Sequence, residues 1–383
     1  MKILLIEYRD ITHPEAGGAE LILFEIFSQI VQAGHQVDYL CCQYAGAKPE
    51  EIIQGIRVIR RGISQLVFNF TVPIVYFREI KKNKYHIIIE GIDKLPFYMP
   101  LFERNTPTLC IIPHLFGKAI FKEVPFIFGA YVYSYELLIP HVYKSSYFSA
   151  LSKSTEADLI ARGLPPEQVR VIYTGLTQAD YSAPHTHPLS DHPIVIYLGR
   201  IKKYKGVDLG MKAIKKLQEK YPNIEYQIVG SGDYVADLKQ LAAELDLDKN
   251  VSFLGVKTGA EKTELLQKAN VLIYASPKEG WGLSVIEANA CGTPVVASNS
   301  PGLRESVVDG ETGFLTPHGD TDALAEKIDL LLSDPDLYDQ MREKAIQWGQ
   351  SFSWERAAEE TLDLIRHAIE VKNEIKVRNG GYE

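Results

Sequence analysis

The chain has 383 residues, of which 46% are hydrophobic and 23% are charged, and its net charge is −8. This length exceeds one ordinary hydrophobic core, so we expect a globular protein of two domains. The acidic balance argues against nucleic acid as a partner, because binding to phosphates requires an excess of Lys and Arg.

The cysteine pattern and the apolar segments bear on location. The four cysteines have no Cys-x-x-Cys spacing, which predicts neither a zinc site nor a disulfide framework and favours a reducing compartment. The first apolar run, residues 3–6, stops at Glu7 and is too short for a secretory signal. The uncharged stretches at residues 64–77 and 124–135 are shorter than a bilayer span. We therefore expect a cytoplasmic protein.

The first half of the chain alternates short apolar strands with amphipathic helices, which predicts βαβ units and a parallel sheet. A strand at residues 2–7 leads through Gly17 and Gly18 into a helix. A second helix at residues 156–162 has Ser154 as its predicted cap. Further strands are predicted at residues 37–41, 57–60, 87–90, 108–112, 147–150 and 169–173.

The second half of the chain repeats this alternation after a change in composition. Residues 182–193 are rich in Pro, His and polar residues and indicate a linker. Beyond them, a helix is predicted at residues 207–220 and a long amphipathic helix at residues 353–376. Strands are predicted at residues 194–198, 225–229, 251–253, 271–274, 294–297 and 313–315. We expect two Rossmann-like, doubly wound parallel-sheet domains, which is an α/β fold.

The richest motif follows the fourth strand of the second half. Gly280 and Gly282 allow a ligand to approach the backbone closely. A helix begins near Leu283, and its free N–H groups would face the loop and suit a diphosphate. Glu279 precedes this helix and Glu287 lies about one turn inside it. The spacing alone also fits a plain strand–loop–helix with two surface glutamates.

A basic loop follows the first strand of the second half. It carries Arg200 and Lys205 between two glycines and opens a helix. Cations at the end of a strand suit a diphosphate, and Arg can bind it through two hydrogen bonds. They would also stabilise the negative charge of a leaving phosphate group. A solvated basic loop is the alternative interpretation.

Two further candidates lie in the first half. Gly17 and Gly18 stand at the start of a helix, where they permit close approach of a ligand or simply form a turn. His114 follows the strand at residues 108–112, and this end of a strand faces the crevice in doubly wound sheets. A structural histidine is the alternative for that position.

The complete string at residues 276–315 resembles the E-x7-E signature of the family 4 glycosyltransferases, and the resemblance extends over nearly the whole chain in order. That family has the GT-B fold, in which two Rossmann-like domains face each other across a cleft, and retaining chemistry. The resemblance implies an acceptor-binding domain of residues 1–180, completed by a C-terminal helix at residues 353–383. Residues 190–352 would bind the nucleotide sugar.

The resemblance also implies individual roles. Glu279 and His114 would contact the donor sugar, and Glu287 would bind the ribose hydroxyls. Arg200 and Lys205 would neutralise the diphosphate. The other implied positions around the sugar donor are Gly17, Gly18, Gly230, Val256, Gly280, Trp281, Gly282 and Leu283.

The implied activity is retaining transfer of a sugar from a nucleotide-diphosphate donor to an acceptor hydroxyl, in the synthesis of a cell-surface glycan or glycolipid. Lys, Arg and helix N-termini could replace a divalent cation, so we expect no metal cofactor. UDP, GDP and ADP stay open as the nucleotide. A phosphorylase, a nucleotide-sugar epimerase and an inactive nucleotide-sugar-binding subunit are the alternatives.

Residues 64–148 are unusually aromatic and contain a basic cluster. An apolar surface beside basic residues suits an anionic membrane, whereas an aromatic core with a basic helix end is the alternative. We expect a glycan or lipid-linked acceptor and peripheral contact with the cytosolic face of a membrane. The residues that carry this expectation are Leu66, Phe68, Phe70, Ile74, Phe77, Arg78, Lys81, Lys82 and Lys84.

Overall fold

The computed structural model describes residues 1–93, 95–181 and 192–378. They form two compact units, of which the first comprises Met1–Gly175 and Trp354–Glu383 and the second Leu176–Ser353. Of the predicted linker at residues 182–193, all but the last two residues lie outside the described ranges. No helix in those ranges has the length and apolar character that crossing a bilayer demands.

An eight-stranded sheet forms the centre of the first unit. Its strands are β1 (Lys2–Ile6), β2 (Gln36–Cys42), β3 (Glu50–Ile53), β4 (Ile56–Arg61), β5 (Ile87–Gly91), β6 (Thr108–Ile112), β7 (Tyr147–Ala150) and β8 (Val169–Val171). They are arranged in the order β3-β4-β2-β1-β5-β6-β7-β8. The central strands β1, β5 and β6 are almost fully buried, as their continuous Ile and Leu content requires when helices cover both faces.

The edge strand β3 departs from the parallel pattern. It pairs antiparallel with β4, so the prediction of parallel strands alone is wrong at this edge. Gln54 and Gly55 connect the two strands, with φ angles of 49° and 81°. Two successive positive φ angles form the tight hairpin turn that matches strand twist.

Helices surround this sheet. They are α1 (Gly18–Gln32), α2 (Phe68–Val75), α3 (Met99–Phe102), α4 (Ile120–Glu123), α5 (Phe126–Val142) and α6 (Lys153–Ala161). The C-terminal helix, Trp354–Arg378, packs against α1 and against β6 and β7.

Two sequence-based predictions in the first unit are wrong in detail. Ser152, and not Ser154, caps α6, because its extended backbone lets its hydroxyl accept the N–H of Thr155 at 3.2 Å. Phe68, expected on a membrane-facing surface, is fully buried in the core beside Tyr8 and Phe97. It therefore stabilises α2 against the sheet.

A six-stranded, wholly parallel sheet forms the centre of the second unit. Its strands are β9 (Ile194–Leu198), β10 (Glu225–Val229), β11 (Val251–Gly255), β12 (Val271–Tyr274), β13 (Val295–Ser298) and β14 (Gly313–Thr316). Its helices are α7 (Val207–Leu217), α8 (Val235–Glu244), α9 (Gly259–Lys268), α10 (Leu283–Ala290), α11 (Leu303–Ser306), α12 (Thr321–Ser333) and α13 (Pro335–Gln350). Helix α7 ends at Leu217, three residues earlier than predicted.

The strand order places the loops that matter for function. The second sheet has the order β11-β10-β9-β12-β13-β14, which is the 3-2-1-4-5-6 arrangement of a Rossmann fold. The parallel strands of the first sheet follow the same arrangement. The prediction of two Rossmann-like parallel-sheet units is therefore confirmed. In such sheets ligands bind where the order reverses, which in the second unit lies between β9 and β12.

Candidate active site

Two loops meet at the reversal point of the second sheet, one after β9 and one after β12. Gly206 has a φ of 69° and is the N-cap of α7. A Cβ atom on Gly206 would lie 2.3 Å from the carbonyl oxygen of Ala275. Only glycine allows this approach, and it brings the neighbouring Lys205 to the loop that carries Glu279.

Lys205 and Glu279 form an ion pair at this junction. The Lys205 Nζ lies 2.6 Å and 2.8 Å from the two carboxylate oxygens. The side chains are only 9% and 13% exposed. Burial acts to lower the pKa of the Lys205 ammonium, but the charge of Glu279 outweighs it and the pKa is raised. Lys205 therefore stays positive throughout the physiological range.

Aromatic rings surround the Lys205 ammonium. Its Nζ lies 5.6 Å from the ring centre of Tyr274 and 5.2 Å from that of Tyr204, distances at which a ring face attracts a cation. Tyr197 stacks on Tyr274 and donates its hydroxyl hydrogen bond to the carbonyl of Arg200 at 2.8 Å. This bond fixes the backbone of Arg200, whose side chain is exposed.

Contacts with Ser276, Pro301 and Gly302 fix the loop that carries Glu279. Ser276 is buried and donates a hydrogen bond to Glu279 Oε1 at 2.6 Å. The N–H of Glu279 donates to the carbonyl of Pro301 at 3.0 Å. Gly302 packs so closely that a Cβ atom would lie 2.3 Å from the Glu279 carbonyl oxygen. The Glu279 side chain is thus held in one position before any ligand binds.

The turn after Glu279 presents backbone donors. Gly282, with a φ of 113°, precedes the first residue of α10, Leu283. Within the described residues, no backbone hydrogen bond engages the N–H groups of Gly280, Gly282 and Leu283. Free N–H groups at a helix start, together with the helix dipole, attract anions. The turn with these N–H groups lies beside the Lys205–Glu279 pair, and its binding of an anion stays a prediction.

Glu287 lies on the same helix, α10, and is 5% exposed. Its Oε1 accepts the hydroxyl of Tyr181 at 3.0 Å and pairs with the Nζ of Lys262 at 2.6 Å. Burial, and then the charge of Glu287, raise the pKa of the Tyr181 hydroxyl. Both contacts use Oε1, so Oε2 is available to a ligand hydroxyl.

The loop after β10 fits tightly beneath the loop of Arg200. A Cβ atom on Gly230 would lie 1.9 Å from the carbonyl oxygen of Gly199. The same distance separates a Cβ atom on Gly232 from the carbonyl oxygen of Ile201. These glycines therefore have a packing role whatever ligand is bound. Val256, predicted near the nucleobase, is 63% exposed at the end of β11.

Trp281 contributes only its backbone to this turn. Its ring is buried and packs edge-on against Phe352, with ring centres 5.4 Å apart. The implied position of Trp281 around the sugar donor can therefore involve only its backbone, and it stays a prediction. The side chain itself serves the core.

The remaining predicted positions lie in the first unit. Gly17 caps α1, and its N–H donates to Glu20 Oε2 at 2.7 Å. A Cβ atom on Gly18 would meet nothing within 4 Å, so packing does not require glycine there. His114 follows β6, and its ring contacts that of Phe116 at 5.0 Å. The roles of Gly17, Gly18 and His114 in sugar transfer stay predictions.

Sequence reasoning missed several residues that hold the site. Ser276 and Gly302 lie within the motif at residues 276–315, but the sequence alone assigns no role to them. Lys262 and Tyr181 lie 25 and 106 residues from Glu287 in the chain. No local pattern signals such distant partners.

The chain matches two family models. The model described as Glycosyltransferase Family 4 matches residues 16–178, and the model described as Glycosyl transferases group 1 matches residues 183–348. The second match contains the Lys205–Glu279 pair, Glu287 and the turn between these two glutamates.

Curated relatives carry glycosyltransferase names. The D-inositol 3-phosphate glycosyltransferase of Corynebacterium urealyticum is 34% identical over 45% of this chain and 42% of its own length. An uncharacterized glycosyltransferase of Methanocaldococcus jannaschii is 27% identical over 93% of this chain and 95% of its own length. The chain spans about half the length of several other relatives that it matches.

Solved structures share the fold over nearly the whole chain. Sucrose-phosphate synthase from Thermosynechococcus elongatus has a TM-score of 0.80 and 24% identity, and the match covers 97% of this chain and 99% of that one. Anabaena HepE in complex with UDP and glucose has a TM-score of 0.75 and 20% identity, covering 96% and 100%. With its two Rossmann-like sheets and the two family models matched in succession, this chain belongs to the family 4 glycosyltransferases and has the GT-B fold.

Proposed function

We propose that this glycosyltransferase uses a nucleoside-diphosphate sugar as donor and transfers the sugar to an acceptor hydroxyl with retention of anomeric configuration, without a metal ion. The observation that carries the proposal is the Lys205–Glu279 ion pair beside the N–H groups that precede α10. A cation and orphan backbone donors at one end of a parallel sheet suit a diphosphate.

Each charged group has a role in this reaction. The bond between the anomeric carbon and the diphosphate oxygen breaks, and Arg200, Lys205 and the N–H groups of the turn stabilise the negative charge that the diphosphate gains. Glu279, held by Lys205 and Ser276, binds the sugar hydroxyls. The acceptor oxygen attacks from the face that the diphosphate leaves, and the acceptor proton passes to the leaving phosphate oxygen.

The nucleoside would lie beside α10. Glu287 Oε2 accepts the ribose hydroxyls, because both protein contacts occupy Oε1. Gly230 and Val256 flank the base at the ends of β10 and β11. The complex of HepE with UDP and glucose supports a uridine nucleotide as one candidate. A thermal-shift series with UDP, GDP and ADP would identify the base, since a ligand that binds only the folded protein raises the melting temperature.

Product analysis tests the reaction itself. The expected product is a glycoside with the anomeric configuration of the donor, identified by NMR, and EDTA leaves the rate unchanged. Glu279→Ala and Arg200→Ala should abolish transfer and retain the fold. Inversion, phosphate-dependent cleavage, epimer formation, or binding without turnover would each contradict the proposal.

The acceptor is proposed to be a growing surface glycan or a glycolipid at an anionic membrane. Leu66, Phe70, Ile74 and Phe77 recur every three or four residues and are each at least half exposed. The exposed cations of residues 78–84 follow directly. An apolar stripe beside cations is typical of a membrane-surface helix.

Co-sedimentation with vesicles tests this contact. Replacing Phe70 and Phe77 by Ser should weaken binding to anionic vesicles at least about thirtyfold, because burial of each ring stabilises the bound state by roughly 1–2 kcal/mol. Ile52→Ser is a matched control, since this exposed residue lies on the edge strand β3. Equal loss in both proteins, or no binding by the unaltered protein at low salt, would contradict membrane contact.

A further inference from the structure

A cavity of about 480 Å³ opens in the first unit, away from the carboxyl ends of its strands. Its walls are the end of α3, the segment that leads into β6, the link between α5 and β7, and the C-terminal helix. Thr108 begins β6 and Ser146 precedes β7, so the cavity lies at the amino-terminal edge of the sheet. Ligands of Rossmann-like sheets bind at the opposite edge, and this cavity is therefore a separate feature.

Three cations line the cavity and come from three separate segments. They are Arg104 after α3, Lys144 after α5, and Lys372 on the C-terminal helix. None of the three makes an ion pair with a carboxylate among the described residues. Burial, and then the charge of Lys376, lower the pKa of Lys372, while the charge of Glu103 acts to raise it. Three cations against one carboxylate leave an excess of positive charge in the lining.

One carboxylate also lines the cavity, but its charge is compensated elsewhere. Glu103 is 6% exposed and pairs with Lys81 at 3.1 Å. It also accepts hydrogen bonds from the Tyr76 hydroxyl at 3.1 Å and from the Asn105 N–H at 2.9 Å. The lining thus carries three cations from three segments and one buried carboxylate, which already pairs with Lys81.

We propose that this pocket binds the phosphate group of a phosphorylated ligand. The fork of Arg104 and the two lysines match the geometry and charge of a phosphate, and the hydroxyls of Thr106 and Ser145 lie in the same lining. The volume exceeds that of a phosphate alone and accommodates an attached polar group.

The phosphate could belong to a soluble compound or to a phospholipid headgroup. Leu101 lines the pocket and is 53% exposed, and Val142 of α5 lines it as well. Apolar side chains at the rim would contact the acyl chains of a lipid, whereas a soluble phosphate would leave them in water. The apolar rim would therefore strengthen binding of a phospholipid but not of a soluble phosphate.

Calorimetry with glycerol 3-phosphate tests the pocket. The background protein carries Arg200→Gln, so that the phosphate does not report on the site of the second unit. Adding Arg104→Gln, Lys144→Gln and Lys372→Gln should weaken binding at least tenfold. The matched control carries Lys212→Gln, Lys239→Gln and Lys249→Gln, which remove the same charge from exposed positions of the second unit. An equal loss in both proteins, or no binding in the background protein, would overturn the proposal.

Vesicles identify the source of the phosphate. Phosphatidylcholine vesicles with and without phosphatidic acid are compared in co-sedimentation. A lipid phosphate predicts that the triple variant loses the extra binding due to phosphatidic acid, and that the control keeps it. A soluble phosphate predicts loss of glycerol 3-phosphate binding with unchanged vesicle binding. With Arg200 restored, the protein that carries only the three pocket substitutions should transfer sugar to a soluble acceptor at the normal rate, so failure of the proposed reaction and failure of this pocket are distinguishable.

Discussion

The two units share a strand order, and each has a carboxylate in or just after its fourth parallel strand. The surroundings of these two carboxylates differ. In the second unit, Glu279 follows β12 and pairs with Lys205. In the first unit, Glu90 lies in β5, is fully buried, and accepts the N–H groups of Phe97 and Met99 and the hydroxyl of Tyr143. Burial raises the pKa of Glu90 to about 7, against the effect of these hydrogen bonds.

The difference shows that strand order fixes where the carboxylate lies, whereas the groups around it determine whether it stabilises the fold or serves a ligand. At the first reversal point the carboxylate serves as an internal acceptor that holds the loop after β5. At the second, the carboxylate pairs with a buried cation, and the adjoining turn leaves backbone donors for a ligand. Only the second arrangement suits an anionic substrate.

Removing the cation should have the largest effect. Lys205→Met leaves Glu279 without its partner and removes the charge that we propose to face the diphosphate. We expect kcat/KM for transfer to fall about a thousandfold, which is the scale for the loss of one preorganised electrostatic group. Steady-state kinetics with the identified donor measure this change.

Lys202→Met is the matched control, because Lys202 lies in the same loop but pairs with the exposed Asp233. Its activity should stay within threefold of the unaltered protein. Comparable losses in the two variants would mean that general positive charge, and not the Lys205–Glu279 contact, supports the reaction.

Backbone packing beneath the Arg200 loop should give the next largest effect. Gly230→Ala places a Cβ atom 1.9 Å from the Gly199 carbonyl at a φ of 137°. Because a backbone atom cannot move aside as a flexible side chain can, we expect a loss of about 3 kcal/mol in the free energy of unfolding of the second unit. Urea denaturation followed by circular dichroism measures it.

The control for this packing effect is Gly255→Ala. Gly255 has a φ of 69°, but no atom lies within 4 Å of its added Cβ. Only the strain of the left-handed backbone remains, which costs about 1 kcal/mol. If both substitutions had the same effect, close packing of the two loops would not be what requires Gly230.

The buried carboxylate of the first unit predicts a pH dependence. Between about pH 4.5 and pH 7, folded Glu90 keeps a proton that the unfolded chain has lost. Its contribution to stability is therefore present at low pH and is lost as the pH rises through about 7, with a total of about 3 kcal/mol.

Glu90→Gln should remove this dependence. Hydrogen exchange of the β5 amides, compared between the two proteins from pH 5 to pH 8, reports the stability of the first unit. The stability difference should change by a few kcal/mol over that range. A constant difference would show that Glu90 is ionised in the folded protein at all these pH values, and the contrast with Glu279 would fail.

Strands and loop motifs could be predicted from the sequence better than contacts between side chains that are distant in the chain. Alternating apolar runs located most strands, and the glycines and charges of two loops located the site, because these signals are local. The contact between Lys205 and Glu279 spans 74 residues and follows from strand order. The burial of Phe68 depends on which face of α2 meets the sheet, and an aromatic pattern does not specify that face.

Substitution of Lys262, a partner of Glu287, should have the smallest effect. It tests whether the second unit needs a second cation beside its second carboxylate. Lys262→Met removes the ammonium that holds Oε1, while the Tyr181 hydroxyl remains. We expect KM for the sugar donor to rise about fivefold with little change in kcat, because ribose binding is the same in the ground and transition states. Lys268→Met, which removes an exposed lysine paired with Glu264 on the same helix, should leave KM unchanged. A fall in kcat without a change in KM would instead show that Lys262 acts in the chemical step, and it would contradict ribose binding by Glu287.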